Sequence, residues 1–352
     1  MPGSAARTAT VDVVCLGESM VTFLPSQPGS LADVPSFSRG IGGAESNVAC
    51  ALAAAGHRAK WVGRVGADGF GDHLVEAITG YGVDTSAVRR DPGRPTGIYF
   101  RTATDRATDT HEVAYYRAGS AASAMSPHNI PYEDLLATRV LHLSGITAAL
   151  SADCLALLDD LTAPREGRPL ISFDVNHRPG LWREGEPGPE VLLGLARRCD
   201  LVFVGEDEAA EAWGVHGAEA IRAALPEPDV LVVKRGPDGV VVHSRTPDSP
   251  GRDIVTTVPS LRVDVVAAVG AGDAFAAGFL SATLRGLPVR DRARHGHLMA
   301  AAVLTVPGDL TGPPPRAYAD RLAALDDEAW GTLRLGPGWT VAPGANEEVR
   351  VP

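Results

Sequence analysis

Between Val140 and Lys234, short apolar runs at Val140–Leu143, Leu170–Asp174, Leu201–Val204 and Val230–Lys234 alternate with stretches of helical character. This alternation leaves few folds open. Short aliphatic runs without polar alternation read as strands buried on both faces, and each intervening helix is the crossover that a parallel pair of strands requires. Val11–Leu16 reads as a first strand of the same kind, Trp61–Val65 as another and Val240–His243 as the last of the series. The expected fold is α/β, a layered and mainly parallel sheet flanked by helices. Ligands of such sheets sit beyond the carboxyl ends of the strands. Polar residues collect at those positions: Gly145, Asn176 with Arg178, Glu206 to Glu208, and Gly236.

Two helices punctuate the N-terminal third. Gly42 and Gly43 open an alanine-rich helix, Ala44 to Ala55, closed by Gly56, and a second helix runs from Asp68 to Tyr81 before Gly82. From Thr96 to Arg117 the pattern changes to alternation with tyrosines and threonines, which predicts an antiparallel hairpin outside the main sheet. With residues 18–40 it would form a small lid. One domain is expected over 11–335, with the lid contributed by about 18–40 and 95–117, and the proline-rich residues 336–352 as a tail or surface strap.

Composition excludes several partners. The chain carries 43 acidic against 32 basic residues and a net charge of −11, with no basic block that could track a nucleic-acid backbone. An acidic protein that handles anions must concentrate arginine locally, so single arginines near glycine loops gain weight. Cys15, Cys50, Cys154 and Cys199 show no C-x-x-C pairing, which suggests neither a zinc site nor a disulfide framework. The N-terminal MPGSAARTAT lacks the apolar core of a signal peptide, and no apolar run approaches the roughly 20 residues that span a bilayer. A soluble protein of a reducing cytoplasm, without membrane partners, is expected.

The segment VGAGDAFAAGF, Val269 to Phe279, carries the strongest chemical signal. Gly270, Ala271 and Gly272 can expose successive backbone N–H groups to an anion at a helix start, where aligned peptide dipoles place roughly half a positive charge. Asp273 beside them can take the proton of an attacking alcohol, a layout suited to phosphoryl transfer. The helix field should make this aspartate a weak resting base, with proton transfer late in the reaction. The competing reading is that the small residues only let a helix pack closely on a sheet. The same two readings apply to GGAESNVACALAAAG, Gly42 to Gly56, where paired glycines admit a close backbone approach and Asn47 can present an amide. Lys60 and Lys234, the only lysines, do not follow the P-loop pattern, and no GxGxxG follows the first strand. A P-loop nucleotide site is excluded, and the ordinary dinucleotide reading is weak.

Taken together, GG-x-x-x-N-x-A at Gly42 to Ala49 and GAGDAFAAGF at the C-terminal end resemble the ribokinase-like, PfkB-type carbohydrate kinases, over nearly everything from Val11 to about Arg321. Within that family, GGAESNVA, TGIYF at Thr96, YYRAGSAASAMSP at Tyr115, LHLSGIT at Leu141, FDVNHRPGLW at Phe173 and VVKRGPDG at Val232 are similar to segments of 2-keto-3-deoxygluconate kinases. The resemblance implies a sugar-acid pocket of Gly43, Asn47, Tyr99, Tyr115, Arg117, Ile146, Arg178, Asp273 and Asp309. The chemistry agrees, because a carboxylate needs a guanidinium fork and Arg117 and Arg178 can supply one; an exposed salt bridge is the alternative role for both. For ATP, the resemblance implies Asn176, the turn Lys234, Arg235, Gly236 to Gly239, the Gly270 to Gly272 amides, and the helix with His297 and Ala301. Glu208 matches the acidic residue of the family's N-x-x-E element and would act indirectly on Mg2+, a hard cation that leaves little sequence trace. A homo-oligomer formed through the lid is likewise implied.

Three positions depart from the family pattern: Ala267 where an aspartate is usual six residues before Asp273, Gly205 for the asparagine of N-x-x-E, and His297 where an asparagine is common near the adenine. The expected activity is ATP-dependent phosphorylation of the terminal hydroxyl of 2-keto-3-deoxygluconate. The alternatives are a kinase of the same fold for a neutral sugar such as fructose or ribose, and a sugar-binding protein with impaired catalysis on that fold.

Overall fold

The computed structural model describes residues 11–27, 29–102, 113–182, 188–246 and 252–341. An eight-stranded sheet forms its centre. In chain order its strands are β1 (Val11–Leu16), β4 (Ala59–Val62), β9 (Thr138–Ser144), β10 (Leu170–Asp174), β11 (Leu201–Gly205), β12 (Val230–Lys234), β13 (Val240–Arg245) and β14 (Asp253–Val258), arranged β14-β13-β12-β11-β10-β9-β1-β4. All pairs from β12 to β4 are parallel. Both faces are covered, and the side chains alternate between them. Val13, Cys15, Phe203 and Val232 join one apolar cluster, while Val14, Leu16, Val202, Val204, Leu231 and Val233 join the other. This double burial is why the strands lack polar alternation in sequence.

Twelve helices among the described residues complete the layers: α1 (Ala44–Ala54), α2 (Gly69–Gly80), α3 (Tyr132–Leu136), α4 (Gly145–Ala148), α5 (Ala152–Thr162), α6 (Glu190–Ala196), α7 (Glu206–Trp213), α8 (Ala218–Ala224), α9 (Ala271–Leu284), α10 (Val289–Leu304), α11 (Arg316–Ala323) and α12 (Asp327–Thr332). The Asp68 side chain caps α2 by accepting from the N–H groups of Phe70 and Gly71. None of the helices is long and apolar enough to cross a membrane.

The lid is a separate four-stranded sheet, β3-β2-β7-β8, built from β2 (Met20–Pro25), β3 (Phe37–Gly42), β7 (Ile98–Arg101) and β8 (Val113–Tyr116). The strands β7 and β8 pair antiparallel as the alternation from Thr96 implied; the tip of that hairpin lies outside the described residues. Phe23 stacks on Phe100 at 4.7 Å between ring centres, and Phe37 meets Phe100 edge-on at 5.2 Å, giving the lid its own apolar face.

Three expectations need correction. The run Trp61–Val65 is interrupted at Gly63, where a Cβ would come within 2.7 Å of the Gly17 carbonyl oxygen, and the chain continues as β5 (Arg64–Gly66) beside β6 (Arg89–Asp91). The strand after β12 returns antiparallel rather than through a helix, because Gly236 (φ 54°) and Gly239 (φ 92°) turn the chain tightly. The antiparallel edge strand β14 was not anticipated, and its exposed Ile254 and Val255 explain why its pattern does not read as a buried strand. Beyond β16 (Arg334–Leu335), which pairs with β15 (Arg262–Val263), Trp339 lies against Tyr318 at 6.3 Å between ring centres; residues 342–352 lie outside the described residues.

Two glycines set how closely α9 and α10 pack. A Cβ on Gly278 would stand 2.3 Å from the His295 carbonyl oxygen, and one on Gly296 would stand 2.7 Å from the Phe275 ring. Gly-to-Ala inside a helix ordinarily stabilises by about 1 kcal/mol. Here the clash with backbone reverses the sign, so Gly278→Ala should destabilise by about 1–3 kcal/mol. Thermal unfolding followed by circular dichroism checks this; an unchanged or higher midpoint would show that the helices separate without cost.

Candidate active site

A cleft of about 1320 Å³ opens at the carboxyl ends of the parallel strands, between the sheet and the lid. It gathers most of the residues singled out in the sequence. Gly43, Asn47, Tyr99, Tyr115, Arg117, Ile146, Asn176, Arg178, Glu208, Lys234, Gly270, Ala271, Gly272, Asp273 and Asp309 all line it.

The start of α9 is placed by Gly270, whose left-handed backbone (φ 78°) turns the chain into the helix, and Asp273 falls in the first turn. A Cβ on Gly270 would meet the Asp309 carbonyl oxygen at 2.5 Å, so only glycine fits. The Asp273 Oδ2 accepts a hydrogen bond from Asn47 Nδ2 at 2.8 Å. Asn47 is held in turn because α1 is anchored at its start. There the buried Glu45 carboxyl accepts from Ser144 at 2.7 Å and Thr147 at 2.8 Å, and burial raises its pKa.

Burial pushes the Asp273 carboxyl up to about 7, and the neighbouring Asp174 adds to this, against the opposing effects of the Asn47 hydrogen bond and the Arg178 and Lys234 charges. The helix-end field was expected to make this carboxylate a weak base. Desolvation in the cleft raises it instead and leaves a group poised to exchange a proton near neutrality.

Lys234 ends β12 and reaches across to Asp174, with Nζ 3.0 and 3.1 Å from its two oxygens. Burial alone would lower the lysine, but Asp174 and Glu208 overcome it and hold the ammonium charged. The ammonium lies 3.8 Å from where a Gly272 side chain would start, which puts a positive point charge beside the amides of the helix start. Asn176, two residues past β10, is the one non-glycine residue with positive φ among those described (φ 43°). Asparagine adopts this left-handed conformation more readily than most residues, and here it lies in the cleft wall.

On the lid side, alternation along β7 turns Tyr99 and Arg101 to the same buried face. Tyr99 donates to Asp309 Oδ2 at 2.9 Å, and Arg101 Nη2 stands 2.6 Å from Asp309 Oδ1. Arg117 donates from Nε to Glu18 at 2.7 Å and also through Nη2, while Ser120 donates to the other Glu18 oxygen at 2.6 Å. The two arginines expected to act as a pair therefore differ. Arg117 is buried and already matched by Glu18, whereas the Arg178 side chain is 51% exposed, with Glu208 only at 3.7 Å.

Five expected nucleotide residues do not line the cleft. Arg235 pairs with Glu206 at 3.2 Å, and Gly236 and Gly239 shape the β12–β13 turn. His297 packs edge-on against Phe275 at 5.2 Å, burial depresses its ring to about 4, and Ala301 is buried on the same helix. The contact with Phe275 of α9 holds His297 in the interior. Asp264 does not replace the acid missing at Ala267, since it pairs with Arg334 at 2.6 Å on the surface.

Three charged cleft residues escaped the sequence reading: Glu18, Arg101 and Asp174. A charged residue closing a strand was the available signal for Asp174 and Arg101.

Among the described residues no group of three or more histidine, cysteine, aspartate or glutamate side chains could hold a metal ion. Glu208 Oε2 accepts from the Gly205 N–H at 2.8 Å, closing the first turn of α7. The Asp174 and Glu208 carboxylates beside the helix start fit a hard cation that brings most of its oxygen ligands with it, and do not fit a protein-built cage.

Residues 11–316 match the model of the pfkB family of carbohydrate kinases. The chain is 34% identical over 314 residues to the 2-dehydro-3-deoxygluconokinase of Bacillus subtilis (strain 168), covering 87% of this chain and 93% of that protein. It is 31% identical over 274 residues to a probable chloroplastic fructokinase of Arabidopsis thaliana, covering 76% and 69%. The solved 2-dehydro-3-deoxygluconokinase of Thermotoga maritima superposes with a TM-score of 0.77 at 26% identity over 90% of this chain and 98% of that one. With the helix-start amides, the adjacent aspartate and the lid in place, these similarities show that the chain belongs to the pfkB family and is a sugar kinase.

Proposed function

We propose that the protein uses ATP to phosphorylate the terminal hydroxyl of 2-keto-3-deoxygluconate. The carrying observation is Asp273 at the first turn of α9, hydrogen-bonded to Asn47, with its carboxyl near 7 and the Gly270–Gly272 amides alongside. In this reading the sugar lies under Tyr99 and Tyr115, Asp273 takes the proton of the attacking hydroxyl, and the oxygen bonds to the terminal phosphorus as ADP leaves. The amides and Lys234 face the charge on the transferring group. Magnesium entering with the nucleotide would neutralise bridging phosphate oxygens, with Asp174 and Glu208 beside it. Arg178, half exposed and only loosely paired, is the cation available to a substrate carboxylate. One observation favours a neutral sugar instead: Arg117, the other half of the expected fork, is already neutralised by Glu18.

The base must be ionised to act, so kcat/KM should fall about tenfold per pH unit below about 7 and level off above it. Asp273→Asn should lower kcat by about 10²–10⁴ with little change in thermal stability, since it keeps the shape and removes a charge that burial disfavours. Near-parent turnover in that variant would remove the assigned role.

A coupled ADP-release assay with 2-keto-3-deoxygluconate, fructose and ribose side by side tests the substrate. The keto acid should be preferred, and Arg178→Ala should raise its KM by about tenfold or more while changing fructose little. Preference for fructose contradicts the acid reading, and binding without product for every sugar would mark a binding protein.

The lid exposes Tyr115 and Tyr116, at 53% and 64% of their surfaces, beside its aromatic core. Self-association through this face belongs to the same proposal. Sedimentation equilibrium should give a dimer that Tyr116→Glu disrupts; a monomeric parent protein rejects it.

A further inference from the structure

The two glycine-bearing motifs converge on one residue outside both, Asp309. A Cβ on Gly42 would stand 2.2 Å from the Tyr99 hydroxyl and 3.0 Å from Asp309 Oδ2, and one on Gly270 would stand 2.5 Å from the Asp309 carbonyl oxygen. Backbone from β3 and from the start of α9 thus closes on Asp309 from two sides, and β7 of the lid supplies Tyr99 and Arg101. Arg101 is 6% exposed, lines the cleft, and has a buried Nε with no hydrogen-bond partner. An arginine inside a lid strand, aimed at a carboxylate that belongs to the body of the protein, is an expensive way to hold two layers together. Replacing such a pair by apolar residues is commonly neutral or stabilising.

We propose that Arg101 is a positioning residue for the sugar: it keeps Asp309 ionised and fixed at the seam between the lid and the phosphate-binding helix, so that this carboxylate accepts hydrogen bonds from substrate hydroxyls. The inference rests on the carbohydrate-kinase activity and not on which sugar is used. Tyr99 takes one lone pair of Oδ2, while Oδ1, in ion-pair contact with Arg101 at 2.6 Å, has no hydrogen-bond partner, which leaves acceptor capacity for the substrate. A hydroxyl bound to a carboxylate is held roughly twice as strongly as one bound to a neutral acceptor. The charge is therefore worth keeping although burial works against it. Tyr99 and Arg101 are the titratable or charged groups facing Asp309; Gly42 and Gly270 present backbone, and Asn47 on α1 is neutral. Burial raises the Asp309 carboxyl, and Arg101 is the largest opposing influence. Without the guanidinium, the acid takes a proton rather than stand as a lone buried charge.

The test is steady-state kinetics on Arg101→Met and Arg101→Lys from about pH 6 to about pH 9, using whichever sugar of the panel the parent protein turns over best. If that sugar is neutral, the substrate reading fails while the Arg101 comparison still proceeds. Arg101→Met should raise the KM for the sugar about tenfold at the acid end, with recovery to within about threefold at the alkaline end as Asp309 regains its charge, and the KM for ATP should stay within about twofold. Arg101→Lys keeps the charge and should remain within about threefold of the parent throughout. A sugar KM that does not move, a loss equal at every pH, or an equal rise for ATP would overturn the proposal and leave Arg101 as structural. If the methionine variant does not fold, the lysine variant decides: a tenfold or larger rise in its sugar KM overturns the proposal.

Discussion

The unpaired backbone N–H groups at the start of α9 are the element on which the site depends. They need a helix that begins at the cleft floor with no side chain in the way, and three contacts put it there. Gly270 turns the chain in a left-handed conformation against the Asp309 backbone. Gly278 and Gly296 let α9 lie close on α10. Phe275 and Phe279 meet Phe203 of β11 edge-on, at 6.4 and 5.5 Å between ring centres, and fix the helix to the sheet. The glycine at the helix start bares amides, and the glycine further along permits packing.

Charge in the cleft is nearly balanced, although the chain as a whole is strongly acidic. Glu18, Asp174, Glu208, Asp273 and Asp309 face Arg101, Arg117, Arg178 and Lys234. Arg101, Arg117 and Lys234 are each held within hydrogen-bonding distance of one of these carboxylates. An anion entering the cleft would therefore exchange partners with these groups rather than meet bare charge. The two groups left least committed are Arg178, half exposed, and Asp273, whose carboxyl sits near 7. These are the residues to which the proposed substrate carboxylate and hydroxyl proton are assigned.

Much of the architecture was legible along the chain because it is local. Strands buried on both faces announce themselves as unbroken apolar runs, and β1, β10 and β12 fall on the residues read from sequence. Helix α1 begins after Gly43 and ends before Gly56, as the punctuation implied. The turn into β13 was misread as a crossover because apolar pattern does not carry strand direction. Gly236 and Gly239 did contain that information, since both have positive φ. The site was legible where a motif carries it, at Gly43, Asn47 and Gly270 to Asp273. It was not legible for Glu18 and Arg101, whose partners stand far off in sequence: Arg117 is 99 residues from Glu18.

The order of elements, the buried character of the sheet, the bare helix start and the identity of the acid beside it follow from residues adjacent in the chain, since strand period and peptide dipoles act over a few residues. The state of that acid does not. Its carboxyl rises to about 7 because folding removes water and brings Asp174 close, and this reverses the direction that the helix field alone implied. Folding likewise decides that Arg117 is matched by Glu18 while Arg178 stays half exposed, donating to the His177 carbonyl. Desolvation and pairing are sums over everything packed around a group, and those neighbours come together only when the lid, the sheet and α9 meet.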